Sequence, residues 1–280
     1  YTSSDTTPNI AEQTTAVETL TVTDTDTGDV NACTLGGADA SSFSCTVNGD
    51  SVSLAFSSAP DFENPGSVDS DNDYSVTVTI SDGVNTGATI SYTVTVDDAN
   101  DFTPSYSAGD LTPSVAEGST AVDSFTVSDA DTDDVNACIR GGADAALFTC
   151  TVSGDDITLA FASAPDYDSA SDANSDNDYI VTVAISDGTN TGSTLSYTVS
   201  VTDLNDQTPT YSSSDTTPSI SEGTTAVETL TVTDTDSADV NACTLGGTDF
   251  ASFTCTVSGD SVALAFSSGN VPDFETPGSA

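Results

Sequence analysis

A repeat of 105 residues constrains this chain more than any other feature of its sequence. Cys33 and Cys45 recur as Cys138 and Cys150 and again as Cys243 and Cys255, and Tyr1, Tyr106 and Tyr211 open matching segments. A unit of this length can bury a core of its own, whereas solenoid units of roughly 20 to 50 residues must stack on neighbours. The sequence therefore reads as an array of domains spanning residues 1–105, 106–210 and 211–280, with the third copy stopping inside the period. The first and third copies share the runs TTAVETLTVTDTD and DVNACTLGG, so a shared mechanical role is expected.

Within a copy the apolar residues alternate. Val52, Leu54 and Phe56 are separated by small residues, as are Tyr74, Val76, Val78 and Ile80, and then Ile90, Tyr92, Val94 and Val96. A period of two marks half-buried antiparallel strands. Asn48-Gly49 and Gly154-Asp155 fall between such runs and predict hairpin turns, while no segment combines a 3.6 period with helix caps. The fold class is all-β, with about seven short strands in each ~100-residue copy arranged as two packed sheets.

The cysteines are read as one disulfide per copy, because each pair has the same spacing and both members fall on the inward phase of their strands. Two inert buried thiols are the alternative. Zinc would need about four nitrogen or sulfur ligands, and a copy offers two Cys and no His. A disulfide implies an oxidising compartment outside the cytoplasm.

Charge sets a second constraint. There are 45 acidic residues against one basic residue, Arg140, for a net charge of −44. Self-repulsion of this size opposes compaction unless cations bind or the medium is very salty. Such a chain repels phosphate backbones and anionic lipid head groups, so nucleic acid and membrane surfaces are excluded as partners. No stretch approaches the ~18 to 20 apolar residues of a membrane span. Low hydrophobicity with high charge can mean disorder, but the alternating strands argue for a folded chain.

The acids are ordered. The first copy reads Glu12 in AEQ, Asp24 and Asp26 in DTDTGDVNA, Asp61 and Glu63 in PDFE, Asp82 in ISDG, and Asp98, Asn100 and Asp101 in DANDFTP. The second copy repeats the series as Glu117, Asp129 and Asp131, Asp166 and Asp168, Asp187, and Asp203, Asn205 and Asp206. A single DxD is common, but the whole series resembles the cadherin repeat along the full chain. That resemblance implies tandem Ig-like Greek-key β-sandwiches with Ca²⁺ held between successive repeats. It assigns Glu12, Asp61, Glu63, Asp98, Asn100, Asp101, Asp129, Asp131 and Asp187 to the first junction. Glu117, Asp166, Asp168, Asp203, Asn205, Asp206, Asp234 and Asp236 go to the second, and Asp24, Asp26 and Asp82 form a half-site ahead of the first copy. It also implies carbonyl donors at Phe102, Asn136, Gln207 and Asn241, and disulfides that cross between opposite sheets. Asp168 stands where the family has Glu, which shortens one arm.

Physical chemistry gives the same expectation independently. Ca²⁺ takes about six to eight hard oxygen ligands with tolerant geometry, whereas Mg²⁺ demands a tight octahedron. Like charges 4 Å apart repel by ~1 kcal/mol in water and ~4 kcal/mol at an effective dielectric of 20, so a cation-free junction should splay and a calcium-loaded one should be stiff. The competing reading is that these acids are solvated loop and turn residues. A further acidic group, Asp69, Asp71 and Asp73 with Asp172, Asp176 and Asp178, lacks the Gly and terminal Glu of a calcium loop and reads as solvated. Arg140 is expected in a surface ion pair.

The chain carries no His, Lys or Trp and no nucleophile motif, so catalysis is not expected. The leading reading is a calcium-stiffened extracellular stalk, fibre or filament on a microbial surface, either secreted or attached to a cell and self-associating into fibres or bundles. The absence of Asn-x-Ser/Thr sequons fits a microbial source. The alternative is an adhesive recognition module for a carbohydrate or partner protein, which should show one divergent copy with an exposed aromatic cluster. The third copy is expected to lack its last two strands. They would come from a continuing chain or be donated by another subunit.

Overall fold

The computed structural model describes residues 1–26, 31–132, 136–236 and 241–275. Residues 27–30 of the DTDTGDVNA run and the last residues of the third copy lie outside the described residues. In the first copy the strands are β1 (Asn9–Ala11), β2 (Ala16–Thr21), β3 (Ala32–Gly36), β4 (Phe43–Asn48), β5 (Ser51–Phe56), β6 (Asp73–Ser81) and β7 (Ile90–Asp97). They form two sheets, in the orders β1-β7-β6-β3 and β2-β5-β4. All pairings are antiparallel except β1 with β7, which run parallel with Asn9 opposite Thr95. The predicted alternation sets the core: Tyr74, Val76, Val78 and Ile80 of β6 and Tyr92, Val94 and Val96 of β7 face Val52, Leu54 and Phe56 of β5. The β4–β5 hairpin closes through Gly49 and Asp50, and Gly49 has φ of +59°, a conformation that favours glycine.

The second copy repeats this plan in β8 (Ser114–Ala116), β9 (Ala121–Thr126), β10 (Ala137–Gly141), β11 (Phe148–Ser153), β12 (Asp156–Phe161), β13 (Asp178–Ser186) and β14 (Leu195–Thr202). Its sheets run β10-β13-β14-β8 and β11-β12-β9, with β8 and β14 again parallel. In the third copy, β15 (Thr210–Ser212), β16 (Ala226–Thr233), β17 (Phe253–Ser258) and β18 (Ser261–Phe266) make one sheet, ordered β15-β16-β18-β17. Residues 242–246, the counterpart of β3 and β10, have no strand pairing there. None of the described helices is long and apolar enough to cross a membrane.

The disulfides are Cys33–Cys45, Cys138–Cys150 and Cys243–Cys255. In the first two copies each joins opposite sheets, β3 to β4 and β10 to β11. Arg140 donates from Nη1 to the carbonyl of Ala145 at 3.0 Å. One expectation is corrected. Asp172 is buried rather than solvated, and its carboxylate accepts the N–H groups of Asn174, Asp176 and Asn177 at 3.0–3.3 Å. Burial alone would raise its pKa, but these three donors outweigh it and lower it. Ser67 does the same work in the first copy, where its hydroxyl accepts from Asp71 N–H at 2.9 Å.

Leu54 is 1% exposed, whereas Leu264, in the same register opposite Cys255 as Leu54 is opposite Cys45, is only partly buried. Leu54→Ala should cost ~2–5 kcal/mol of the first copy's stability. Leu264→Ala should cost less than half of that, as read by hydrogen exchange at β5 and β18 under mild denaturant.

Candidate metal centre between the copies

The junction is built on one glutamate per copy. Glu12 follows β1, and its N–H donates to Asp97 O at 3.0 Å, so the parallel β1–β7 pairing carries it to the end of the sandwich. There its Oε2 accepts Phe62 N–H at 2.9 Å and its Oε1 accepts Ala99 N–H at 3.0 Å, binding the PDFE loop to the DANDFTP linker through one buried carboxylate. Glu117 does the same with Tyr167 and Leu204, both at 2.7 Å. The chain then turns sharply: Gln13, Gly118 and Gly223 have φ of +59°, +74° and +75°, and their N–H groups donate to Pro60, Pro165 and Pro272.

The DxD motifs enter from the following copy. The first carboxylate of each accepts the N–H of the second, Asp129 to Asp131 at 3.4 Å and Asp234 to Asp236 at 3.4 Å, which folds the i and i+2 acids toward one side. Hydrogen bonds then cross between copies. Thr132 N–H donates to Asp98 at 2.5 Å, Phe102 N–H to Asp131 at 2.8 Å, and Gln207 N–H to Asp236 at 3.0 Å. Asn190 donates to Phe102 O at 2.6 Å and to Asn100 Oδ1 at 3.1 Å. Asp187 organises its own loop by accepting Thr189 and Asn190 N–H at 2.7 and 2.6 Å. Burial works against its charge, but these donors prevail and lower its pKa.

At the first junction three groups of carboxylates each have oxygens within 4.8 Å of one another: Glu12, Asp61 and Glu63; Glu63, Asp98 and Asp131; and Asp129, Asp131 and Asp187. Glu63 and Asp131 are shared, so the groups form one continuous row from the first copy into the second. At the second junction Asp168, Asp203 and Asp236 meet in the same way. Several of these oxygens are buried with no hydrogen-bond partner, namely both of Glu63, Oδ1 of Asp98, and Oδ2 of Asp129, Asp187 and Asp168. Unpaired buried carboxylate oxygens cost several kcal/mol each in effective penalty, and only a cation satisfies a whole row of acceptors. Crowding of the acids shifts their pKa values upward. Burial, then the charges of Glu12 and Asp98, push Glu63 up to about 7. Burial followed by Asp236, Asp203 and Glu117 raises Asp168, and burial followed by Glu12, Asp61 and Asp98 raises Asp101.

The remaining sequence-predicted residues sit around these groups. Asp101 accepts from Gln13 Nε2, Asp206 from Gln207 at 2.8 Å, and Asp166 from Ser169 N–H at 2.9 Å. Asn100 reaches Asp187 O at 3.5 Å, and one Asp234 oxygen is buried without a partner. Asn205 is in the same linker as Asp203 and Asp206. Asp24, Asp26 and Asp82 line one cleft with Tyr1, Asn31 and Asn85, without forming a close triad. Asp82 accepts Val84 and Asn85 N–H at 2.7 and 2.5 Å, which lowers its pKa. Two side chains escaped the sequence reading. Asn136 was assigned only a carbonyl, yet its side-chain Oδ1 is buried and unpartnered. Asn190 was not singled out at all, although SDG followed by x-Asn recurs at Asn85 and Asn190. Glu222, Asp273 and Glu275 form another close group, all three exposed, in the third copy.

No family model and no curated protein matches the sequence. Solved structures do. PcdhgB3 EC1-4 is 18% identical with a TM-score of 0.60, covering 98% of this chain and 68% of that one. Human CDH23 EC21-23 is 18% identical with a TM-score of 0.59, covering 96% and 89%. Protocadherin gammaB7 EC3-6, solved as a cis-dimer, is 20% identical with a TM-score of 0.53, covering 97% of this chain; the chain spans 65% of that protein's length. The fold is therefore that of tandem cadherin-like repeats, an all-β array of Ig-like sandwiches.

In chelator, Glu63 should titrate with a midpoint near 7, measured by carboxyl NMR. Its folded pKa lies above the ordinary 4.5, so the folded cation-free junction holds the proton more tightly than the unfolded chain. Junction stability should consequently fall as the pH rises from 4.5 to 7. Glu63→Gln should remove that dependence.

Proposed function

We propose that the chain is a calcium-stiffened extracellular repeat protein serving as a stalk, fibre or filament element on a microbial surface. The supporting observation is the row of buried, unpartnered carboxylate oxygens that runs from one copy into the next. A donor set of hard oxygens with mixed carboxylate and amide character suits Ca²⁺ better than Zn²⁺, whose structural sites use nitrogen and sulfur. Glu12, Asp61, Glu63, Asp98, Asp129, Asp131 and Asp187 would hold it at the first junction, and Asp168, Asp203, Asp234 and Asp236 with Glu117 at the second. Bound there, calcium supplies the positive charge that cancels their repulsion.

The stiffness follows from where the residues belong. Glu63 and Asp98 come from one copy and Asp129, Asp131 and Asp187 from the next, so satisfying them together fixes the angle between copies. The cores and disulfides lie within copies and do not depend on the junction. The acids are occupied by these junctions rather than poised over a substrate cleft, which favours a mechanical role over catalysis.

Exposed apolar side chains bear on the recognition reading, among them Tyr211, Phe250 and Phe274 of the third copy. Ile139 and Ile180 of the second copy are 50% and 38% exposed where the first copy has Thr34 and Ser75. The row of carboxylates is the more specific feature, so the structural role leads.

Chelation should leave each sandwich folded by circular dichroism while broadening the small-angle scattering profile into that of a flexibly jointed chain. A profile unchanged by calcium removal is the result that refutes the stiffened-rod reading.

A further inference from the structure

The first and second copies differ at one place in a way that the fold does not require. In the first copy a 3-10 turn, Ala40–Ser42, leads into β4, and the second copy has Ala145–Leu147 ahead of β11. Both turns keep the same backbone contact: Ser57 N–H donates to Ser42 O and Ala162 N–H to Leu147 O, each at 2.8 Å. Only the side chain changes. Leu147 packs against the core of its copy, whereas Ser42 lines an open cleft of about 350 Å³.

The cleft is framed by Ser41, Ser42, Ser57 and Ser58 and reaches down to Phe56 and Tyr74, whose rings meet edge-on with centroids 5.0 Å apart. Tyr74 is 2% exposed, and its hydroxyl oxygen accepts Gly66 N–H at 2.8 Å. Among the described residues its own proton meets no acceptor. The second copy shows what is missing. There the Tyr179 hydroxyl accepts Ser171 N–H at 3.2 Å and also faces Ser171 Oγ at 3.4 Å. Gly66 stands where the second copy has Ser171. Its backbone does not demand glycine, because its φ is not positive and a Cβ would stand 3.7 Å from the Tyr74 hydroxyl, an ordinary contact. The glycine thus leaves a buried donor unmet at the base of the cleft, an arrangement that is costly until an acceptor arrives.

We propose that the first copy binds one neutral sugar residue in this cleft. Tyr74 supplies a donor at the base. Serine hydroxyls, each able to donate and to accept, supply the rim, which matches a ring edged with hydroxyl groups. The Asp61 carboxylate and the Asn64 amide also line the cleft and add an acceptor and a donor. The volume is at the small end of the range for ligand pockets, which suits a single ring. No cation lines the cleft, and a chain of net charge −44 repels anions, so acidic sugars are disfavoured. All of these residues belong to one copy, so the site is tested apart from the stiffening of the junctions.

The test titrates the full chain, in calcium, with the methyl glycosides of glucose, galactose, mannose and N-acetylglucosamine. Binding is read by saturation transfer to the sugar protons and by the amide shifts of Ser42 and Gly66. At least one glycoside should bind and move both amides, and methyl glucuronide should bind about tenfold more weakly or worse. Ser42→Leu combined with Gly66→Ser copies a side-chain pair that the second copy already accommodates, and it should weaken binding by about tenfold or more. Tyr74→Phe should weaken it about two- to tenfold, the loss of one hydrogen bond. The proposal is overturned if no glycoside binds, if the double variant binds as tightly as the unaltered chain, if Tyr74→Phe leaves the affinity unchanged, or if the glucuronide binds equally well.

Discussion

The junctions bring carboxylates of neighbouring copies within 4.8 Å of one another, and their mutual repulsion is the constraint that the surrounding hydrogen bonds hold against. Glu63 sits in three-cornered contact with Glu12 and Asp61 on one side and Asp98 and Asp131 on the other, close enough for each ionised pair to cost kilocalories at an intermediate dielectric. The surrounding hydrogen bonds do not relieve this repulsion. They hold the linker in place, through Thr132, Phe102 and Asn190, and so keep the acids together. The junction is thus organised by neutral donors around a centre that neutral donors cannot satisfy.

The cores provide the scaffold against which that strain is held. Each complete sandwich buries aromatic and β-branched side chains from both sheets, with Phe43 and Phe56 stacked at 4.4 Å and Tyr74 edge-on to both. A disulfide then ties the layers together. Because this packing lies wholly within a copy, the site at the junction can be strained without threatening the fold of either neighbour.

Much of the fold was legible in the sequence, and the reason is physical. Strand alternation, the Gly49 turn and the cysteine pairing are local patterns, and a repeat of 105 residues shows each of them more than once. The acids of the site were legible as an ordered series, but the groups in which they meet were not, since Glu12 reaches Phe62 and Ala99 across 50 and 87 residues. The side-chain oxygen of Asn136 and the bridging amide of Asn190 stayed hidden because asparagine in a turn is common and carries no charge to draw attention. Asp172 was misread as solvated because its role is played by a hydroxyl, Ser67, in the first copy, so the two positions do not look alike as letters.

The parallel pairing of the first and last strands in each complete copy has a mechanical consequence. Thr6, Pro8 and Asp97 carbonyls accept from Thr93, Thr95 and Glu12, so the entering and leaving segments are laced side by side in the same direction. A pull on the two ends of a copy slides these segments past one another and loads all of the bonds at once, whereas an antiparallel pair would be peeled apart bond by bond. An array of this kind resists tension by shear, and it does so next to the very glutamates that anchor its joints.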